Sequence, residues 1–391
     1  KIMKKTLAAV AVLGAFAGSA LAADVQLYGV IDTGVRYLSS DMDINAAGQG
    51  VDSVDKFSME SGMQSGSRFG FKGTEDLGNG LTVGFILENQ FNSDDGSLKD
   101  DNHFFRREAS LFLQGGFGKI AFGRMGSING GTSSWAQHGV MSAFGTSWGS
   151  YAAQADTVFG GSGLWDNMIS YETPSFAGFT VYAQYGMGNS DDAGAENEST
   201  SNRYYALGAK YANGPLNLFL SVDSINYKSY DATDGSLGDV DDAWTVRFGG
   251  NYDFEVVKLF AGAAYFDEAK LSTFAGAGSD WISANFKGNE GYAKVKGWSL
   301  GVSAAIPAAG GNVLVGASYM DADAADSLDK TVYEDAEVSR WIVSAGYDYP
   351  LSKRTNVYGV VTYNQDSMDK IGAKDADPTV WGVMLGMRHK F

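Results

Sequence analysis

The sequence predicts an all-β protein, a transmembrane antiparallel β-barrel of about 16 strands in one domain. Two observations predict it. Apolar residues alternate with small or polar residues along most of the 391-residue chain, and short Gly-rich turns alternate with long polar connections. Most alternating runs are close to the length that a tilted strand needs to cross a bilayer. A soluble β-sandwich is the structural alternative, but it gives no reason for connections that alternate so regularly in length.

The N-terminal segment has the three parts of a secretory signal peptide in order. Lys4 and Lys5 precede an apolar stretch over 7–16, and small residues follow up to Ala20-Leu21-Ala22. Such a segment is too short to cross a bilayer as a helix, and it is removed on export. We therefore expect residues 1–22 to be the signal peptide and residues 23–391 to form the barrel domain.

Each predicted strand has one apolar face and one face of small or polar residues. Between Trp244 and Phe254 the apolar residues take the even positions, and polar residues such as Arg247 take the odd ones. Because successive side chains of a strand point to opposite faces, this places apolar side chains towards lipid. Short turns are predicted at 76–80, 115–118, 213–215 and 308–311. Long polar connections are predicted at roughly 39–61, 92–103, 189–201, 228–242, 268–296, 321–337 and 364–377.

Composition and charge exclude several classes of protein. The chain has no Cys and only three His, which excludes disulfide scaffolds and Cys-ligated metals and leaves little for a His-based site. Its 46 acidic residues outnumber its 29 basic residues, and the net charge of −17 argues against nucleic-acid binding. Six of the long connections, all except 268–296, hold 29 of the acids with six Lys. The negative charge therefore belongs to the connections, and the rest of the exported chain is mildly basic.

Specific segments also match a known family. The most specific is 67–81, Ser-Arg-Phe-Gly-Phe-Lys-Gly-Thr-Glu-Asp-Leu-Gly-Asn-Gly-Leu, and others lie at 25–34, 115–124, 171–179 and 386–391. In these segments the chain resembles the Gram-negative general diffusion porins, especially the neisserial and other β-proteobacterial type. The resemblance implies a sixteen-stranded homotrimer in the outer membrane, with a water-filled pore in each subunit narrowed by the third long loop. It also implies that the terminal Phe391 is a barrel-assembly signal.

The connection from about residue 128 to 165 differs from the other long ones. It contains a single acid, Asp156, and no Lys or Arg. A long connection without charge is better explained by packing inside the barrel than by exposure to water. We expect it to fold inward as the third long loop and to constrict the pore, with an ordinary external loop as the alternative. The aromatic residues expected to shape the constriction are Trp135, Phe144, Trp148, Tyr151 and Phe159.

Charged residues within strands are expected to point into the pore, because a charged side chain facing lipid near the bilayer centre costs about 2–4 kcal/mol. With Phe69 facing lipid, Arg68 and Lys72 face the lumen. By resemblance, Arg107 and Arg124 match positions of the family's basic wall. The predicted pore-lining residues are Asp32, Arg36, Arg68, Lys72, Glu88, Arg106, Arg107, Glu108, Arg124, Asp156, Arg247 and Arg340.

Fixed charges across a narrow pore create a preference for one sign of ion. In many relatives the third loop supplies acids that face the basic wall, whereas here only Asp156 and Asp166 are available. The strength of any field across the constriction therefore stays open, as does the alternative that single charges form plain salt bridges in the lumen.

Two short motifs do not support a catalytic or metal site. Residues 145–149 match the nucleophile-elbow pattern, but that pattern requires a strand leading into a helix, and the only His downstream is His389, at the end of the sequence. The acidic run 41–52 lacks the turn Gly and final Glu of a calcium loop. We expect no enzyme activity and no cofactor, apart from loose Ca²⁺ or Mg²⁺ binding at acidic external loops.

The function that the sequence favours is an outer-membrane channel for passive diffusion of ions and small hydrophilic solutes, weakly anion-leaning. A substrate-specific channel for sugars or organic acids is the alternative, and a barrel acting as an adhesin or structural protein is a weaker one. The expected partners are outer-membrane lipid and lipopolysaccharide, the latter bridged by divalent cations to the acidic loops.

Overall fold

The computed structural model describes residues 24–44, 51–146, 148, 163–188, 196–197, 201–227, 241–271, 294–328, 330–371 and 375–391. The predicted signal peptide lies outside these residues. Three predicted pore residues, Tyr151, Asp156 and Phe159, lie outside them too.

The described chain forms 17 strand segments joined in one antiparallel sheet. Their bounds are β1 (Asp24–Ile44), β2 (Val51–Ser61), β3 (Arg68–Gly78), β4 (Leu81–Gln90), β5 (Glu108–Gly115), β6 (Gly118–Gly126), β7 (Leu164–Glu172), β8 (Phe179–Gly186), β9 (Arg203–Asn213), β10 (Leu216–Asn226), β11 (Ala243–Asp253), β12 (Lys258–Lys270), β13 (Lys294–Ala308), β14 (Gly311–Ala324), β15 (Glu337–Pro350), β16 (Thr355–Asp369) and β17 (Ala376–Lys390).

The sheet closes on itself as a barrel of 16 strands. Strand β1 pairs with β17 over Val30–Ile44, which joins the two ends of the chain. The opposite edge of β1 pairs with both β2 and β3, which are two parts of one barrel strand interrupted at 62–67. The prediction of a closed antiparallel barrel with about 16 strands is thereby confirmed.

The short turns lie at one end of the barrel and the long connections at the other. The four predicted short turns fall between the strands as expected, and the one at 78–80 has positive φ at all three residues, Gly78, Asn79 and Gly80. The predicted bounds of several long connections were wrong. Strand β1 continues to Ile44 and β2 starts at Val51, so most of the predicted 39–61 connection is strand, and 364–377 shrinks to 370–375.

The outer face of the barrel is apolar with rings of aromatic residues near its ends. Near the long-loop end, Trp and Tyr side chains contact each other across neighbouring strands, as expected at a membrane interface. The pairs, with ring-centroid separations, are Tyr37–Trp381 at 5.2 Å, Trp341–Tyr363 at 4.9 Å, Trp298–Tyr319 at 5.6 Å, Trp244–Tyr265 at 5.2 Å and Tyr185–Tyr205 at 5.1 Å.

The inner face is not uniformly polar. Near the long-loop end of β12–β17, inward-facing apolar side chains form a buried cluster that continues into the connection 325–336. We call it the inner apolar cluster; it includes Met320, Leu328, Val338, Ile342, Met368 and Val380.

Helical structure is short in the described residues. It consists of a 3₁₀ turn at His138–Met141 and a helical turn, α1, at Lys330–Tyr333. None of the helices in the described chain is long and apolar enough to cross a membrane.

Candidate functional site

The inner faces of β3–β6 carry a group of arginines that share few carboxylates. Glu88 on β4 binds Arg107 with Oε1···Nε at 2.5 Å, and its Oε2 lies 3.5 Å from Nε of Arg68 on β3. One carboxylate therefore faces two guanidinium groups. This trio leaves a net positive charge on the wall.

The two consecutive residues Arg106 and Arg107 converge on one side chain. Both donate to Oε1 of Gln90, at 2.8 and 3.2 Å. Both arginines precede β5, which starts at Glu108, so two consecutive side chains can point to the same side before the alternation of the strand begins.

Arg124 on β6 extends the same wall. Its Nε donates to the carbonyl of Arg106 at 2.8 Å, and its Nη1 binds the carboxylate of Asp166 on β7. Asp166 also lies 3.7 Å from Nε2 of His103, whose Nδ1 is 2.9 Å from Asp100. These contacts join the second long connection to β6 and β7, the two strands between which the third long connection runs.

Asp32 on β1 is inward but fully buried, with 0% of its surface exposed. It accepts hydrogen bonds from the backbone N–H groups of Gln64 and Ser65, at 2.9 and 2.6 Å, and from the hydroxyl of Tyr358. Asp32 therefore holds the 62–67 interruption against β16. Arg36, which lies two inward positions further along β1, binds Glu60 on β2 at 2.7 Å.

Glu108 connects the wall to the third long connection. Its carboxylate accepts from the N–H and the hydroxyl of Ser134, both at 2.9 Å, and from the hydroxyl of Ser110 at 2.8 Å. A buried carboxylate with three such donors is well stabilised, so Glu108 serves as an anchor for residue 134 and its neighbours.

The described part of the third long connection, residues 127–146 and 148, contacts inward-facing residues around the barrel. Trp135 and Phe144 are 2% and 1% exposed. Asn129 accepts from Ser221 on β10 at 2.6 Å, and the backbone of Val140 accepts from Asn251 on β11 at 2.8 Å. At the far side, the ring of Trp148 lies 5.2 Å from that of Tyr358 on β16. These contacts lie on the lumen side of the strands.

Comparison with known proteins identifies the family. The family model described as Gram-negative porin matches residues 8–369. The chain belongs to the Gram-negative porin family. An outer membrane porin protein of Bordetella pertussis is 36% identical to this porin, with 100% of both chains covered. Outer membrane porin protein 32 of Delftia acidovorans is 29% identical over the full length of both chains.

The fold comparison agrees with the sequence comparison. A solved structure titled anion-selective porin from Comamonas acidovorans matches with a TM-score of 0.59 at 24% identity, covering 94% of this chain and 100% of that one. Membership of the porin family makes this protein an outer-membrane channel for diffusion, and its long connections are the external loops. The family indicates a channel rather than an enzyme.

Two predicted pore arginines of this porin are sequestered in ion pairs. Arg340 on β15 binds Asp366 on β16 through two contacts of 2.6 and 2.7 Å, and both are almost completely buried. Arg247 on β11 binds Asp223 on β10 at 2.5 Å and is equally buried. Both arginines point inward, but neither presents a free charge to an ion in the pore.

Sequence reasoning missed several lumen charges. Arg388 on β17 lies on the inner face opposite Asp32 in the strand register and donates to Asn356 at 3.0 Å. Its inward position follows from the alternation with the outward Leu385 and Met387, but the segment was read only as a family signature. Lys119 on β6 was missed for the same reason. Lys72 is inward and exposed, as the alternation indicates.

The acidic residues of the described chain do not build a metal site. Among those residues, there is no group of three or more His, Cys, Asp or Glu side chains that could hold a metal ion.

Proposed function

We propose that this porin conducts ions and small hydrophilic solutes with a weak preference for anions, set by a basic wall of Arg68, Arg106, Arg107, Arg124 and Arg388. The observation that supports the proposal is the sharing of Glu88 between Arg68 and Arg107. Arg388 adds a further positive charge, since no carboxylate of the described residues lies within 4 Å of it. Among the described residues, these five arginines lie within ion-pair distance of three carboxylates: Glu88, Asp100 (3.7 Å from Arg106) and Asp166. An anion passing this wall therefore meets more positive than negative charge.

The third loop, proposed here as the constriction, adds little opposing charge. Its described part carries no acid, and Asp166 at its far end is bound by Arg124. The basic wall therefore faces a largely neutral, aromatic surface. A solved relative titled an anion-selective porin supports the same sign of preference.

The reversal potential across a planar bilayer under a KCl gradient tests this proposal. Wild type should give the sign of an anion-preferring channel, and Arg68→Ala and Arg124→Ala should shift the potential towards cation preference. Arg354→Ala is the matched control, because Arg354 lies in the periplasmic turn between β15 and β16. An unchanged potential in both wall variants would remove these arginines from the selectivity wall.

We also propose that the porin is a homotrimer whose subunits meet through β2–β6. The sequence 51–126 contains neither Trp nor Tyr, so the Trp–Tyr girdle is interrupted over this sector. Its outward residues are instead Phe, Leu and Met; Phe57 and Met59 are 72% and 58% exposed. A face that lacks interfacial Trp and Tyr but is rich in apolar side chains fits contact with protein better than with lipid headgroups.

The dissociation temperature of the oligomer on unheated gels tests this interface. Phe57→Arg should lower that temperature strongly, because it buries an unpaired charge between subunits. Val302→Arg is the control, since Val302 is a comparably exposed outward residue on β13. Equal effects of the two substitutions, or a monomer in mild detergent, would contradict the proposed interface.

We further propose that lipopolysaccharide contacts the acidic external loops through divalent cations. The supporting observation is that the external loops hold most of the acids of the chain with few lysines. In the second loop, hydrogen bonds from Ser97 lower the pKa of Asp95 below the usual range, so this carboxylate is charged at neutral pH. EDTA should lower the melting temperature of the porin in lipopolysaccharide but not in a zwitterionic detergent, and equal behaviour in both would refute the bridge.

A further inference from the structure

A hollow in the inner wall lies on the periplasmic side of the arginines. It is lined by inward-facing residues of β1, β3, β4, β5 and β6, among them Asp24, Lys72, Ile86, Phe112 and Lys119. Lys72 is four residues beyond Arg68 on β3, about 13 Å further along the strand in the direction of the periplasm. We call this surface the lysine hollow.

The two lysines of the hollow are positioned by aromatic rings rather than by carboxylates. The Nζ atom of Lys119 lies 4.6 Å from the ring centroids of both Phe112 and Trp135, and Nζ of Lys72 lies 5.2 Å from that of Tyr28. Glu172 is the register partner of Lys119 across β6 and β7, yet no ion pair within 4 Å joins them. Within the described chain, neither lysine has a carboxylate inside that distance, in contrast to Arg36, Arg107 and Arg340.

The floor of the hollow is apolar. Ile86 and Phe112 project inward from β4 and β5, where most lumen positions are polar or glycine. Gly84 makes room for the ring: a Cβ at Gly84 would lie 2.3 Å from Cζ of Phe112. The ring therefore lies across the wall, with an ammonium group beside it. The carboxylate of Asp24 lines the rim, where it accepts from the amide of Gln26 at 3.1 Å.

We propose that the lysine hollow is a subsite for anionic solutes that carry an aromatic or branched apolar group, such as an aryl carboxylate. The carboxylate is attracted by Lys72 and Lys119, which both line the hollow, and the apolar group packs on Phe112 and Ile86. This subsite rests on the proposed channel function and adds selectivity for one class of solute. The arginines attract any anion, whereas the lysine hollow favours anions that carry an apolar group.

Two simpler ligands fit the hollow less well. A small inorganic anion uses the lysines but gains nothing from the apolar floor. A neutral sugar stacks on Phe112 but leaves the two ammonium groups without an opposite charge. A ligand with both features gains from the charge and from apolar burial together.

Current fluctuations of single trimers in planar bilayers test the subsite with benzoate as the probe. In KCl, benzoate should produce resolvable brief blockades, whereas acetate, which lacks the ring, and benzyl alcohol, which lacks the charge, should not. Lys119→Gln and Lys72→Gln should each raise the benzoate concentration for half-maximal blockade about fivefold or more. Phe112→Ala should also raise the benzoate concentration for half-maximal blockade, although it leaves both lysines in place.

The matched control is Lys258→Gln. Lys258 is a lumen-side lysine of β12 that lies 5.5 Å from the ring of Phe260, so the substitution removes the same charge from a similar setting outside the hollow. Blockade in this variant should stay within about twofold of wild type.

The outcomes separate the subsite from the channel. Wild-type protein that conducts KCl but shows no benzoate blockade refutes the subsite and leaves the channel standing, whereas absence of KCl conductance refutes the channel itself. Blockade by acetate as strong as by benzoate shows a plain anion site and overturns the proposal. The proposal is also overturned if Lys258→Gln weakens benzoate blockade as much as Lys119→Gln does, because the effect would then come from the overall charge of the pore.

Discussion

Gly29 and Phe391 close the barrel against each other. Each donates its backbone N–H to the carbonyl of the other at 3.1 Å, and a Cβ at Gly29 would lie 2.3 Å from Cζ of Phe391. The terminal ring thus occupies the space that the missing side chain of Gly29 leaves at the seam between β1 and the chain end.

Replacing Gly29 by Ala should destabilise the closed barrel by about 1–3 kcal/mol, since both the Phe391 ring and the carbonyl of Arg68 crowd the new methyl group. The measurement is the fraction of heat-modifiable, compact protein on gels during refolding. Gly116→Ala is the control, because a Cβ at Gly116 meets nothing within 4 Å. If the two variants refold alike, the close approach at the seam has no consequence for assembly.

Replacing Glu88 by Gln should increase the preference for anions. The change removes the one carboxylate that Arg68 and Arg107 share and leaves both guanidinium groups in place. The reversal potential in a KCl gradient should therefore move in the direction opposite to that of Arg68→Ala. Glu255→Gln, in the periplasmic turn between β11 and β12, carries the same charge change and should leave the potential unaltered. A shift of Glu88→Gln towards cations would contradict the assignment of the wall.

Replacing Asp366 by Asn should lower the stability of the folded porin by about 3–5 kcal/mol, because a fully buried guanidinium then faces a neutral amide. Thermal unfolding in detergent, followed by circular dichroism, measures the loss. The double variant Arg340→Met with Asp366→Leu should recover most of it, since the charge is removed together with its partner. If Asp366→Asn has the same unfolding temperature as wild type, water must reach this ion pair.

Replacing Trp148 by Ala should raise the single-channel conductance if the third loop forms the proposed constriction, since conductance follows the width of the narrowest region. The indole packs on Phe144 and Tyr358, and its loss loosens the contact of the third loop with β16. Trp341→Ala removes an equal side chain from the outer girdle and should leave conductance unaffected. Conductance below that of wild type would mean that the loop falls further into the pore.

The barrel and the direction of most side chains were predictable because alternation is a local property of each strand. Arg68, Lys72, Arg247 and Arg340 all lie on the inner face, as their apolar neighbours in sequence indicate. The same local pattern cannot tell which carboxylate meets which arginine. Asp366 was assigned to a polar connection, whereas strand register places it beside Arg340 inside the barrel.

The external ends of the strands were misjudged for a related reason. Beyond the bilayer the outer face need not be apolar, so the alternation fades although the hydrogen-bonded ladder continues, as in β1 up to Ile44. Inward apolar residues such as Val338, Met368 and Val380 were missed because the sequence pattern assumes a polar lumen. Only the three-dimensional packing under the external loops explains them.

The inner apolar cluster has a consequence for the route that solutes take. Met320, Val338, Ile342 and Met368 fill part of the external half of the lumen with buried apolar side chains, and we expect the conducting path to lie away from this part of the wall. An ion held within the Debye length of the arginines, about 8 Å at physiological ionic strength, would feel their charge despite the salt. A lumen narrowed from one wall would therefore make the proposed selectivity less sensitive to ionic strength than a wide pore.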